Sequence, residues 1–145
     1  MPDFDPLIKK ISDYVQTYQA KDESLQEAKI CFFDSIACAF MALEHDQVKK
    51  FIEIDYIKNS QGSVRVIGTD LKTNALDATF LNGALIRWLD FNDTWLAKEW
   101  GHPSDNLSII LALVDYLKNH RSTSLNFKEI LLSLIHISEP TRQEA

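Results

Sequence analysis

The sequence predicts an all-α domain, and three observations carry that prediction. Apolar residues recur at helical spacing in successive stretches, several of them opened by a capping residue. Only one short run, Val64–Ile67 between Gly62 and Gly68, reads as extended. The length of 145 residues is that of one domain, enough to bury roughly 70% of the unfolded surface.

The first helix is expected from Pro6 to about Tyr18. Asp5 is its N-cap, and Pro6 takes the first helical position, where a missing N–H is harmless. Leu7, Ile8, Ile11, Val15 and Tyr18 form its apolar stripe. In the second helix Ser24-Leu-Gln-Glu27 reads as a capping box, and the helix runs to about Leu43. Cys31, Phe32, Phe33, Ile36, Ala37, Phe40 and Met41 make it apolar nearly all round, the pattern of a central buried helix. Asp34 interrupts it and is expected to bond a neighbouring element.

A weaker, exposed helix spans Asp46 to about Ile54, and 55–73 reads as irregular. Helix three starts at its N-cap Asn74 and ends near Asp90. Helix four starts at Ser104 or Asp105 and ends near Asn119. A fifth begins after Asn126, with Glu129 completing a capping-box pair. These five and the weak one leave a long connection between helices three and four, and long structured loops are usually functional.

Charge and cysteine usage narrow the function. A net charge of -6 and a pI near 5.1 argue against nucleic acid, which needs a basic face. No apolar run reaches the length of a membrane span. The start, Met-Pro-Asp-Phe-Asp-Pro, is neither a signal peptide nor an Arg-rich transit peptide, so a cytoplasmic protein is expected. Cys31 and Cys38 lie about two helical turns apart, roughly 10 Å, too far for a disulfide. Two thiols do not hold an iron–sulfur cluster, and both are expected as small core residues.

The stretch from Ala84 to Asn106 is the densest polar and aromatic cluster. It holds all three tryptophans (Trp88, Trp95, Trp100), together with Asp90, Asp93, Asp105 and His102. His102-Pro103-Ser104 leads into a helix N-terminus, whose unpaired N–H groups and partial positive charge suit a carboxylate. His102 beside it is placed to shuttle a proton, Asp90 to orient it or act as an acid, and Thr94 to hold a substrate oxygen. That set suits proton transfer next to a carboxylate, such as elimination of water. On spacing alone, the plainer reading of capping and hydrogen-bonding groups stays open. A metal site from Asp90, Asp93 and His102 lacks any established ligand spacing, so neither metal nor cofactor is expected.

Phe80-Leu-Asn-Gly-Ala-Leu-Ile-Arg-Trp-Leu-Asp-Phe-Asn-Asp-Thr-Trp95, followed by Glu99-Trp-Gly-His-Pro-Ser-Asp-Asn106, resembles the MmgE/PrpD family, and within it the 2-methylcitrate dehydratase branch. Weaker similarity runs from about residue 6 to 131, through Phe33-Asp-Ser-Ile-Ala-Cys38 and Val66-Ile-Gly-Thr-Asp70. The resemblance implies a helical N-terminal domain completed by a smaller α+β domain. It implies dehydration of 2-methylcitrate to 2-methyl-cis-aconitate without an iron–sulfur cluster, a tricarboxylate substrate, and a homodimer when full length. It implies Asp90, Thr94 and His102 as catalytic residues. Asp93, Ser104 and Trp95 are expected beside them as substrate-binding neighbours, the tryptophans walling the pocket. The Glu99-Trp100-Gly101 insertion before His102 resembles the dehydratases rather than the related cis-aconitate decarboxylases. Family members are far longer, and their further site Lys and His residues have no counterparts here, so this chain is expected to be an inactive N-terminal fragment.

The end of the chain departs from the pattern. Leu132-Ser-Leu-Ile-His-Ile-Ser-Glu-Pro-Thr-Arg142 resembles one reading frame of a transposase-type sequencing adapter. Residues 1–131 are therefore expected as the family-like domain and 132–145 as a non-native tail, in which His136 has no function. Two rivals remain: a non-enzymatic helical interaction module, and a related enzyme acting on citrate or cis-aconitate.

Overall fold

The computed structural model describes residues 5–96 and 100–138. In chain order these form α1 (Pro6–Thr17), α2 (Asp22–Ala42), α3 (Asp46–Ile52), α4 (Asp55–Asn59), β1 (Val64–Arg65), β2 (Lys72–Thr73) and α5 (Ala75–Arg87). Then come β3 (Trp95–Leu96), β4 (Trp100–Gly101), a 3-10 turn (Pro103–Asn106), α6 (Leu107–Arg121) and α7 (Phe127–Ser138). The all-α class holds, and the only sheets among the described residues are two antiparallel pairs, β1 with β2 and β3 with β4.

The centre of the domain is α5. It packs on α2 and α6, while α7 lies against α2 and α6. Leu81, Leu85 and Ile86 of α5 meet Ala39 and Ala42 of α2, Val48, Ile57, Val66 and Leu107 in the main core. Each fully buried Leu or Ile contributes about 1.5–3 kcal/mol. A second cluster joins Ala28, Ile110, Leu131, Leu134 and Ile135.

The expected start of α5 is realised: Asn74 Oδ1 accepts from the Leu76 and Asp77 N–H groups, both at 3.0 Å. So is that of α1, where Asp5 Oδ1 accepts from Leu7 N–H at 2.7 Å. At α7, Asn126 Oδ1 accepts from Glu129 N–H at 3.1 Å and Glu129 Oε2 from Asn126 N–H at 2.7 Å, the reciprocal bonds of a capping box. The helix crosses the boundary expected at 131 and runs to Ser138, with Leu134 and Ile135 buried. Residues 139–145 of the expected tail lie outside the described residues.

Several expectations need correction. The second helix starts at Asp22, with Lys21 as a cap whose side chain makes no capping bond. Asp22 and Glu23 instead place negative charge in the first turn, and Ser24 and Glu27 fall inside the helix. Nor is α2 buried all round. Its buried face is made of small residues, Ala28, Ser35, Cys38, Ala39 and Ala42, whereas Ile30, Phe33, Phe40 and Met41 are more than half exposed. Small side chains let α2 approach α5, and the large ones form an apolar outer surface. Asp34 is exposed rather than bonded into a neighbouring element.

The stretch 55–73 is less irregular than expected, because it contains α4 and the β1–β2 pair. A Cβ on Gly62 would run into the Thr73 carbonyl, so only glycine allows that close approach. Asn82 of α5 secures the segment from below: its Oδ1 accepts from Ile67 N–H at 2.9 Å and its Nδ2 donates to the Arg65 carbonyl at 3.4 Å. Helix α5 ends at Arg87, three residues before Asp90, and α6 is preceded by the 3-10 turn.

Candidate active site

The loop between α5 and α6 gathers the chemistry. The last turn of α5 unwinds through Trp88 and Leu89 into Asp90, whose φ of 53° is left-handed. Asp90 N–H donates to the Arg87 carbonyl at 3.1 Å. Its carboxylate, 80% exposed, accepts from Arg87 Nη2 at 2.8 Å. Arg87 reaches the other way with Nε, 3.3 Å from Asp105 Oδ1. One guanidinium thus bridges the end of α5 and the 3-10 turn, and its buried Nη1 has no hydrogen-bond partner among the described residues.

His102 stands just before that turn. Its Nδ1 lies 2.7 Å from the Asp93 backbone carbonyl. A carbonyl oxygen only accepts, so Nδ1 carries the proton in this bond, and Nε2 of the neutral ring keeps its lone pair. Among the described residues Nε2 has no hydrogen-bond partner. The ring is half-buried, and Trp100 meets it edge-on with centroids 5.7 Å apart. Trp100 is carried there by the β3–β4 pair, in which Trp95 faces Gly101 and Leu96 faces Trp100.

Asp93 ties the loop to its surroundings. Oδ1 accepts from Ser104 N–H at 3.3 Å, and Oδ2 from the Cys31 thiol of α2 at 3.6 Å. Burial, with the Asp93 charge beside it, pushes the Cys31 thiol up to about 12. The Cys38 thiol is also raised, chiefly by burial and then by Asp34 and Asp93. Both cysteines are free, as expected of core residues, although Cys31 is only half-buried. Ser104 is fully buried, and its Oγ has no partner among the described residues. Neither does either amide atom of the buried Asn92.

The structure therefore brings Asp93, His102 and Ser104 together. Asp90 is bonded to Arg87 rather than to His102, so the histidine is oriented by the Asp93 carbonyl. Thr94 is exposed on the same loop, next to Asp93. The Trp95 side chain lies outside the described residues, and Trp88 is 41% exposed. Among the described residues no group of three or more His, Cys, Asp or Glu side chains is arranged to hold a metal ion. Likewise, none of the helices there is long and apolar enough to cross a membrane.

Sequence reasoning did not assign Arg87, Asn92 or Cys31 to the site. Arg87 had a signal, the i,i+3 spacing to Asp90 at a helix end. Cys31 had none, because its contact with Asp93 spans 62 residues of chain.

Residues 9–137 match the MmgE/PrpD N-terminal domain. The chain is 42% identical over 144 residues to the 2-methylcitrate dehydratase of Escherichia coli K12, covering 95% of this chain and 30% of that protein. It is 39% identical over 147 residues to that of Cupriavidus necator, covering 95% of this chain and 30% of that protein. It is 36% identical over 132 residues to the mitochondrial 2-methylcitrate dehydratase of Yarrowia lipolytica, covering 88% of this chain and 25% of that protein. The chain spans less than a third of the length of these curated relatives. With a helical fold and a family match over residues 9–137, this chain belongs to the MmgE/PrpD family, as its N-terminal domain.

Proposed function

We propose that the full-length protein is a 2-methylcitrate dehydratase, a lyase that removes water from 2-methylcitrate to give 2-methyl-cis-aconitate. This chain supplies part of its active site, with Asp90, Thr94 and His102 as the catalytic residues. The observation that carries the reading is the placement of His102. Its Nδ1 is engaged by the Asp93 carbonyl, which leaves Nε2 of the neutral ring as a lone-pair site without a protein partner among the described residues. Elimination of water needs a group that takes the carbon proton and one that gives a proton to the leaving hydroxyl. His102 is one such group, and its counterpart belongs to the part of the relatives that this chain does not cover. Thr94, exposed on the loop, holds a substrate oxygen. Arg87 sets the place of Asp90.

Ser104 and Trp95 are assigned to substrate contact; the buried Ser104 Oγ is a hydroxyl with unused hydrogen-bonding capacity. No cofactor takes part, and the enzyme works as a cytoplasmic homodimer. Alone, the 145-residue chain turns over little or no substrate, because an incomplete set of groups loses most transition-state stabilisation.

The test is turnover of 2-methylcitrate, with citrate as the competing substrate. The full-length protein is expected to form 2-methyl-cis-aconitate, and His102→Asn to slow it on the order of 10²–10⁴-fold. Equal or better turnover of citrate, or a His102→Asn variant of undiminished rate, refutes the proposal. Substantial turnover by the 145-residue chain alone refutes the division of the site.

A further inference from the structure

The Asp93 carboxylate is taken up on both oxygens by the protein itself. Oδ1 accepts from Ser104 N–H at 3.3 Å and Oδ2 from the Cys31 thiol at 3.6 Å. Its backbone carbonyl accepts from His102 Nδ1 at 2.7 Å. One residue thus joins α2, the 3-10 turn and the histidine. We propose that Asp93 is a positioning residue, backed by Cys31, which fixes the tautomer and place of the His102 ring rather than binding substrate. The functional meaning of that role rests on the reading of His102 as an acid–base group.

The physical case begins with the loop. Residues 91–94 have no regular structure and no ladder to hold them. The direction of the Asp93 carbonyl therefore depends on what anchors the residue, and its side chain supplies two anchors on separate elements. The Cys31 anchor is stiff. Cys31 sits in mid-helix, its own carbonyl accepts from Ser35 Oγ at 2.7 Å, and Ser35 is fully buried. The high thiol pKa, about 12, keeps the sulfur protonated, so it stays a donor at every physiological pH. A free neutral imidazole favours the proton on Nε2. The Asp93 carbonyl reverses that preference and exposes Nε2 as the lone-pair nitrogen, the state a proton acceptor requires.

Nitrogen-15 NMR on the whole chain with labelled histidine reads the tautomer of His102 directly. The unaltered chain is expected to show the proton on Nδ1. Asp93→Ala and Cys31→Ala are each expected to move the ratio toward Nε2–H, by about fivefold, the worth of one ordinary hydrogen bond. Cys31→Ser, which keeps a donor, is expected to retain the Nδ1–H form. A general structural role would not produce that rescue. An unchanged tautomer in both alanine variants, or a Cys31→Ser variant no better than Cys31→Ala, overturns the proposal. Should Asp93→Ala fail to fold, the Cys31 pair decides alone. No substrate enters this measurement. A full-length protein inactive on 2-methylcitrate would sink the functional reading and leave the Asp93 result standing, and the reverse holds equally.

Discussion

Asp115→Ala tests what holds α6, the helix whose N-terminal end carries the site, to the rest of the domain. The Asp115 carboxylate is 9% exposed and accepts three bonds from Arg65: from Nε at 2.8 Å, Nη2 at 2.6 Å and the backbone N–H at 3.0 Å. Two further contacts, in the last turn of α6, are Asn119 Nδ2 to the Ser63 carbonyl at 2.9 Å and Ser63 Oγ to His120 Nε2 at 3.0 Å. Breaking a fully buried ion pair costs about 3–5 kcal/mol. Here the Arg65 side chain is 67% exposed, so its guanidinium regains water when Asp115 is removed. What remains is chiefly the charge-assisted bond to a backbone N–H in a short strand. The expected loss is about 2 kcal/mol, which at a urea slope of about 2 kcal/mol/M lowers the midpoint by about 1 M.

Acid supplies a second check. Hydrogen bonds from the Arg65 guanidinium, then from its backbone N–H, hold the Asp115 carboxyl below its usual range, against the opposing effect of burial. A depressed carboxylate contributes stability that is full above its unfolded value, about 4, and is lost as pH falls through the folded value. The gap between the two proteins should therefore be widest near neutrality and close in acid. A midpoint shift below about 0.3 M at pH 7, or a gap that persists to pH 2, would refute the reasoning.

Asn74→Ala removes the acceptor for two N–H groups at the start of the central helix, and is expected to cost about 1 kcal/mol in urea unfolding; a neutral result would mean that Asp77 suffices as the cap. Cys31, its thiol near 12, is only about one ten-thousandth thiolate at pH 8. Iodoacetamide should label it at least about a hundredfold more slowly in the native chain than in urea, and equal rates would contradict its burial against Asp93. The half-exposed stripe of α1 (Leu7, Ile8, Ile11, Val15) and the outer face of α2 (Ile30, Phe33, Phe40, Met41) should bind a hydrophobic dye and drive association visible in light scattering. A dye-silent monomer would favour the interaction-module reading.

Local chemistry was legible in the chain, and tertiary bonding was not. Asp5, Asn74 and the Asn126–Glu129 pair announce their helices because a cap acts within three residues of itself. Ser24–Glu27 has the same letters and forms no cap, because the helix extends one turn further into Asp22 and Glu23. The apolar run of α2 told how much hydrophobic surface exists but not which side is covered; in this chain the small residues won the interior. At the site, the resemblance selected the loop that the structure builds around His102. It did not single out Arg87, whose bridge to Asp105 closes only when α5 and α6 pack. Nor does spacing reveal that the Asp93 carboxylate is engaged by Cys31 and Ser104.

The left-handed backbone at Asp90 has a consequence for anyone trying to make this domain more robust. Glycine adopts that conformation without the Cβ penalty that aspartate tolerates only in part. An engineer screening for thermal tolerance would therefore be drawn to Asp90→Gly, and the less strained product would pass every folding assay. It would also strip Arg87 of one of its two carboxylates and take away a proposed catalytic group. On the proposed function, a screen for durability alone and a screen for turnover would choose different residues at this position.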